Sequence, residues 1–268
     1  MRRTDPLPCV LSIAGSDSGS AAGVQADLKT LLAHGVHGLT AVTAITAQNT
    51  QAIIAIQVLS QSMLLAQLNA VLADFRIAAI KIGMLGNAAN IRLVARWLRQ
   101  HRLANVVVDP VLVASSGNRL LADNAIAVLR RELLPLAQVL TPNVPEAEAL
   151  IGRPIRTYAQ MRAAAHHLRT MGAQAVLLKG GHLGGNTVRD YFVDAAGEFE
   201  FSHRRLNYPV RGTGCTLASA IAANLALGLA PREAVARSEH YLQRAFRSAR
   251  RNGRGVGRVL QHLPGVNP

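Results

Sequence analysis

The sequence predicts an α/β protein: a mostly parallel central sheet with helices on both faces. Three observations carry this expectation. Short apolar runs alternate with amphipathic stretches along all 268 residues. Several of these runs are continuously apolar, as strands covered on both sides must be. Polar and glycine-rich segments recur where a strand hands over to a helix, which is where sheets of this kind place their sites.

Taken in order, Val10–Ala14 reads as a buried strand. Val24, Leu28, Leu31 and Leu32 recur at i, i+4, i+7 and i+8, one helix face that Gly35 can close. Leu39–Ala47 and Ala52–Leu59 are rich in β-branched residues and read as strands. Leu64, Leu68, Val71, Leu72 and Phe75 mark a second helix. Ile77–Ile82 reads as a strand, Ala88–Gln100 as a helix, Val106–Asp109 as a strand and Asn124–Leu134 as a helix. Val139–Thr141, a helix near Glu146–Ile151, a helix Tyr158–Met171 and a strand Ala175–Leu178 continue the alternation. Val188–Val193 and Glu198–Phe201 form a hairpin around Ala196-Gly197. Helices Thr213–Leu227 and Pro231–Ser248 end the pattern. No linker, composition break or fixed-period repeat interrupts it, so a single domain over 1–268 is expected.

Composition excludes several classes. Half the residues are hydrophobic, which rules out a disordered chain. No apolar run reaches the ~18 residues of a membrane-spanning helix. Val10–Gly15, behind Arg2 and Arg3, is too short for a secretory signal, so a cytoplasmic chain off the membrane is expected. Cys9 and Cys215 lie far apart and make no zinc or disulfide spacing. The net charge of +14 raises nucleic acid as a partner. Yet only ten residues are aromatic and no nucleic-acid signature occurs, so none is expected. The basic run Arg244, Arg247, Arg250, Arg251, Arg254 and Arg258 reads as a solvated last helix and tail. Of the 29 basic residues only Lys29, Lys81 and Lys179 are lysines. A lysine at a strand end is therefore worth asking about.

Seven segments can carry chemistry. Gly15-Ser-Asp-Ser-Gly-Ser-Ala-Ala-Gly23 is a small-residue turn into a helix, open to an anion or equally a plain tight turn. Gln48, in Thr46–Thr50, offers a paired donor and acceptor to a heteroaromatic ring; the alternative is a polar turn. Met84 can pad such a ring or sit in the core. Asp109 ends an apolar strand, a place suited to a metal or phosphate site. Asn143 and Glu146, three apart at a helix start, can face one pocket or simply cap the helix. Lys179, before Gly180-Gly181, can reach a phosphate as a point charge. Gly212-Thr213-Gly214-Cys215 opens a helix with consecutive N–H groups, a nest for an anion whose dipole also favours a Cys215 thiolate; the alternative is a small buried Cys packing a helix start. Together these are the parts of a phosphotransferase without a P-loop.

The chain resembles the hydroxymethylpyrimidine/phosphomethylpyrimidine kinases, of the ribokinase-like fold. The likeness runs from about Val10 to Leu263, through IAGSDS (13–18), GVQADLKT (23–30), TAQNT (46–50), KIGML (81–85), VVVDPV (106–111), SSGNRLL (115–121), LTPNVPEAEAL (140–150), LLKGGHL (177–183) and GTGCTLASAIAA (212–223). The resemblance implies phosphate transfer from ATP to hydroxymethylpyrimidine and then to its monophosphate, for thiamine diphosphate. It implies that Gln48 bonds the pyrimidine and that Asp27, Met84 and Gly15 line its pocket. Cys215 matches the base, and Gly212, Thr213 and Gly214 complete an anion hole with it. Asn143, Glu146 and Asp109 fall to ATP phosphate and Mg²⁺, with Glu146 and Asp109 as metal ligands; Lys179 lies on the nucleotide side. A homodimer is implied, and a need for K⁺ stays open. Three departures stand out: Ser20-Ala21 in a usually glycine-richer turn, Asn118 where Asp is common, and Tyr208-Pro-Val-Arg211 before the nest, which brings Arg211 towards a substrate phosphate. A pyridoxal kinase is the near alternative. A non-catalytic basic protein that senses a pyrimidine or binds nucleic acid is the distant one.

Overall fold

The computed structural model describes residues 6–112, 121 and 123–262. Asn118 and most of the segment 115–121 lie outside the described residues, as do Arg2, Arg3 and Leu263. The first half runs β1 (Cys9–Asp17), α1 (Gly23–Ala33), β2 (His37–Gln48), β3 (Ile53–Val58), α2 (Gln61–Asp74), β4 (Ile77–Ile82), α3 (Ala88–Gln100), β5 (Val106–Val108) and α4 (Asp123–Val128). The second runs β6 (Val139–Leu140), α5 (Val144–Ile151), α6 (Tyr158–Thr170), β7 (Ala175–Leu178), β8 (Thr187–Val193), β9 (Glu198–Arg204), β10 (Val210–Arg211), α7 (Thr213–Ala226), α8 (Pro231–Arg247) and β11 (Arg258–Val259).

Among the described residues nine strands form one sheet in the order β3-β2-β1-β4-β5-β6-β7-β8-β9. The six from β2 to β7 run parallel. Antiparallel strands close both edges, β3 on one and the β8–β9 hairpin on the other. Alternation along each strand divides the apolar side chains between two cores. Leu11, Ile13, Ile80, Ile82, Val106 and Val108 face α2 to α6. Val10, Ala79, Val107, Val139 and Leu177 face α1, α7 and α8. Helices thus cover both faces, as the sequence predicts. Among the described residues no helix is long and apolar enough to cross a membrane.

Three details differ from the sequence expectation. Leu28 and Leu32 are 38% and 66% exposed, while α1 buries Val24, Ala26, Asp27, Thr30 and Leu31. The apolar count marks the wrong stripe because polar Asp27 and Thr30 are buried for hydrogen bonding. The expected helix 124–134 leaves α geometry after Val128 and passes through a wide turn, Leu129–Leu133, and a tight one, Leu134–Leu136. Pro135, with no N–H to donate, fits that irregular end. The Arg-rich tail is not simply solvated. Its residues 258–259 return to pair in parallel with β10, and Val259 and Leu260 are buried.

Candidate active site

The chain reverses its direction of travel across the sheet at β1, whose neighbours are β2 and β4. A crevice opens beyond the carboxyl ends of the strands at such a point. Here it is a cavity of about 610 Å³. Every site residue expected from the sequence lines it except Asp27.

Its first wall is the turn after β1. Buried Asp17 accepts the N–H groups of Gly19, Ala21 and Ala22 at 2.8, 3.1 and 2.9 Å. The segment is thereby rolled into the start of α1. Ser20 takes a positive φ of 60°. Lys29 holds it, donating to its carbonyl and hydroxyl at 2.8 Å each. Lys29 is thus a brace for the turn. Gly15 leaves room for Met84: a Cβ there would sit 3.3 Å from the Met84 sulfur. Gln48 comes from the end of β2, where its backbone N–H and carbonyl both bond the Ser18 hydroxyl.

The far wall is the nest. Gly212 caps α7 at φ 76°, ψ 10°, with no side-chain cap. The first N–H groups of α7 have no carbonyl within the helix to receive them. A Cβ on Gly212 would lie 1.9 Å from the Ala21 carbonyl oxygen, so nest and first turn are pressed back to back. A Cβ on Gly214 would meet both Asp109 Oδ2 and Lys179 Nζ at 3.2 Å. Lys179 donates to Asp109 Oδ1 at 3.1 Å. Burial works against its ammonium, but the Asp109 and Glu146 carboxylates prevail and hold its pKa above the ordinary value.

Asn143 and Glu146 form a capping box at the start of α5, with N–H···O distances of 2.8 and 2.9 Å. Both also line the cavity, so capping and pocket readings hold together. Burial pushes the Glu146 carboxyl up to about 8, with nearby Asp109 adding to it and the Lys179 ammonium opposing it.

Two expectations are corrected. Asp27 does not line the pocket. It is fully buried behind it and takes Lys81 Nζ on both oxygens at 2.9 and 2.8 Å. The Cys215 thiolate is not favoured in this setting: burial pushes the thiol up to about 11, although the Lys81 ammonium and the Gly23 N–H pull the other way. Arg211 lines the cavity but is anchored, donating to the Thr50 carbonyl at 2.8 Å.

Sequence reasoning gave Lys81 no role and missed Asp190 and His203, all of which line the cavity. Asp190 accepts the Gly180 N–H at 2.7 Å, and burial pushes its carboxyl up to about 6. Its signal was available, since it is the one acid on the apolar face of Val188–Val193.

An anion nest, an ammonium paired to one carboxylate and a second carboxylate beside it, all on one cavity at a parallel sheet's carboxyl edge, make up the site of a phosphotransferase without a P-loop. Residues 17–260 match the family model described as phosphomethylpyrimidine kinase. The chain belongs to that family. It is 46% identical to a hydroxymethylpyrimidine/phosphomethylpyrimidine kinase of Rhizobium meliloti, over 94% of this chain and 95% of that one. It is also 46% identical to the thiamine biosynthesis bifunctional protein ThiED of Geobacter sulfurreducens, over 96% of this chain but 53% of that longer protein. Among solved structures it resembles the ADP complex of Bacillus subtilis pyridoxal kinase, with a TM-score of 0.89 and 32% identity over 96% of this chain and 97% of that one.

Proposed function

We propose that the protein transfers the γ-phosphate of ATP to hydroxymethylpyrimidine, and then a second phosphate to the resulting monophosphate, in thiamine diphosphate synthesis. The observation that carries this reading is the convergence of Gly212–Cys215, Lys179 and Asp109 on the cavity that Gln48 and Met84 also line. The pyrimidine lies against Met84 with its ring edge on the Gln48 amide. Its hydroxymethyl group points to Cys215, and the γ-phosphate rests on the nest, with Asn143 and Arg211 at its rim.

In the first transfer Cys215, whose thiol first gives its own proton to solvent in the cavity, takes the hydroxyl proton on Sγ. The oxygen bonds the γ-phosphorus, and the bond to the ADP oxygen breaks. Lys179 and the nest N–H groups meet the charge that develops on the transferring group. The monophosphate is already anionic near neutral pH, so the second transfer needs no base and leans on the nest.

Asp109 and Glu146 would hold Mg²⁺. Two carboxylates suit an ion that takes its other ligands from water and phosphate. A buried Glu146 pushed up to about 8 is the state a nearby cation would relieve. When bound, the ion would neutralise phosphate charge. The reading includes one domain over 1–268, a cytoplasmic location and a homodimer. The exposed Ile54 and Ile56 on edge strand β3 support the homodimer.

The test is an ADP-release assay on hydroxymethylpyrimidine, its monophosphate and pyridoxal in parallel. Turnover of both pyrimidines is expected. Turnover of pyridoxal alone would favour the alternative that the pyridoxal kinase likeness raises. No ADP with any of the three, together with salt-sensitive binding to DNA or RNA, would favour the non-catalytic reading.

A further inference from the structure

Beside the Cys215 wall lies a buried ionic cluster that the phosphotransferase reading does not use. Lys81, from β4, and Asp27, from α1, both have side-chain exposures of 0%. Ser12 of β1 donates to Asp27 Oδ2 at 2.6 Å, and Ser219 of α7 donates to Asp27 Oδ1 at 2.8 Å. With Lys81 on both oxygens, the carboxylate receives four hydrogen bonds and is locked in place.

Two rungs connect this cluster to the reaction centre. Asp27 bonds Ser219, four residues along α7 from Cys215. Gly23, four residues before Asp27 on α1, lines the cavity together with Cys215. Residues four apart share one helix face. The starts of α1 and α7 therefore lie side by side with Cys215 on the upper rung and the ion pair on the lower. The ammonium head also sits under Gly83, where a Cβ would lie 2.8 Å from Lys81 Nζ. That space suits a point charge and not the broader guanidinium that this Arg-rich chain otherwise favours. Lys81 itself reaches the cavity lining.

We propose that Lys81 and Asp27 are a positioning pair for the first transfer, Asp27 clamping the Lys81 ammonium as the fixed positive charge against which Cys215 takes the substrate's hydroxyl proton. The inference rests on the phosphotransferase reading. Lys81 neither gives nor takes a proton. The O–H bond breaks, the S–H bond forms, and the ammonium offsets the thiolate before that exchange. The charged groups nearest in effect to Cys215 are Lys81 from β4, Asp27 from α1 and Asp109 from the end of β5, with Lys81 the positive one; Lys179, against Gly214, is a second ammonium on the same wall and is already paired to Asp109. The second transfer moves no such proton, so the pair should matter less there.

The experiment uses the full chain in a Cys9→Ala background, so that Cys215 is its only thiol. Its alkylation by iodoacetamide is followed at pH 9, beside kcat/KM for the alcohol and the monophosphate. Lys81→Met is expected to slow alkylation about tenfold, the effect of one pKa unit on a mostly protonated thiol. Asp27→Asn, which leaves the ammonium without its carboxylate, is expected to speed it. A merely structural role would loosen the packing in both variants and move both rates the same way, which overturns the proposal. The double variant Lys81→Met/Asp27→Asn buries no lone charge and covers the case where a single variant does not fold. It is expected to be alkylated more slowly than the parent and to lose more kcat/KM on the alcohol than on the monophosphate. Parental alkylation or equal losses in the double variant overturn the proposal too. If the parent itself releases ADP with neither pyrimidine, the phosphotransferase reading fails and the role in proton transfer falls with it, whatever the alkylation rates show.

Discussion

Gly212 shows how one residue joins backbone conformation to chemistry. Its φ of 76° turns the chain into α7, and its missing Cβ admits the Ala21 carbonyl. Gly212→Ala meets both obstacles. The left-handed conformation alone costs a non-glycine residue about 1–2 kcal/mol, and the 1.9 Å approach adds more. A variant destabilised by at least about 2 kcal/mol in urea unfolding, with little ADP release, is expected. Cys215 sets a second prediction. A positioned base is worth roughly 100-fold or more. Cys215→Ala should therefore cut kcat/KM on the alcohol by about that factor and on the monophosphate far less. Equal losses on the two substrates would remove the base from the mechanism. The nest was legible in the sequence because two glycines at a helix start expose consecutive N–H groups. The Lys81–Asp27 pair was not. Its partners stand 54 positions apart, and only the sheet order brings them together.

At the scale of elements, the short pair β10–β11 controls how the nest is presented. Val210 and Arg211 pair with Arg258 and Val259 directly before Gly212. The same tail reaches β2's end, where the Gly255 N–H donates to Thr50 Oγ1 at 3.1 Å and Arg211 donates to the Thr50 carbonyl. Arg258 lies over the Tyr208 ring, 3.8 Å from its centroid. Removing residues 249–268 takes away β11 and one side of this clasp. The expected result is a several-fold rise in KM for the monophosphate, with the helical circular dichroism retained; an unchanged KM would mean that β10 holds its position alone. Two-residue strands leave almost no periodic trace, so the pairing could not be read from a run of arginines. The longer elements could. Ala88–Gln100 and Ala175–Leu178 fall where their apolar patterns place them. Buried polar residues misled the count on α1, where hydrogen bonding to Asp27 outweighs an apolar stripe.

For the whole molecule, the two cores fix the sheet and leave its carboxyl edge to bear several acids in low-dielectric surroundings. That arrangement makes stability depend on pH. Burial holds Glu146 up at about 8, against an ordinary 4.5, and Asp190 up at about 6, against 3.8. The folded chain then binds more protons than the unfolded one between those limits, and stability falls as pH rises through them. Four histidines act in the opposite sense. His262 is pushed down to about 4, and burial also lowers His34, His182 and His203, so folded chains resist the proton that unfolded ones accept below about 6.5. Their contribution grows up to that pH and is then constant. Between about pH 6.5 and 8 Glu146 is still losing its proton, and the buried Glu239 carboxyl, pushed well above its ordinary value, acts in the same direction. One proton per group over that window corresponds to a loss of at most about 2 kcal/mol. Urea unfolding at the two pH values should show a fall of that order in the metal-free protein. Glu146→Gln, which keeps the shape but not the charge, should remove the Glu146 share and leave a shallower slope. Saturating Mg²⁺ should make it shallower too, by favouring the carboxylate that burial disfavours. A slope unchanged in Glu146→Gln would place the titrating group elsewhere, at Glu239 first. A slope reduced in that variant but untouched by Mg²⁺ would remove Glu146 from the metal site while leaving its buried proton in place.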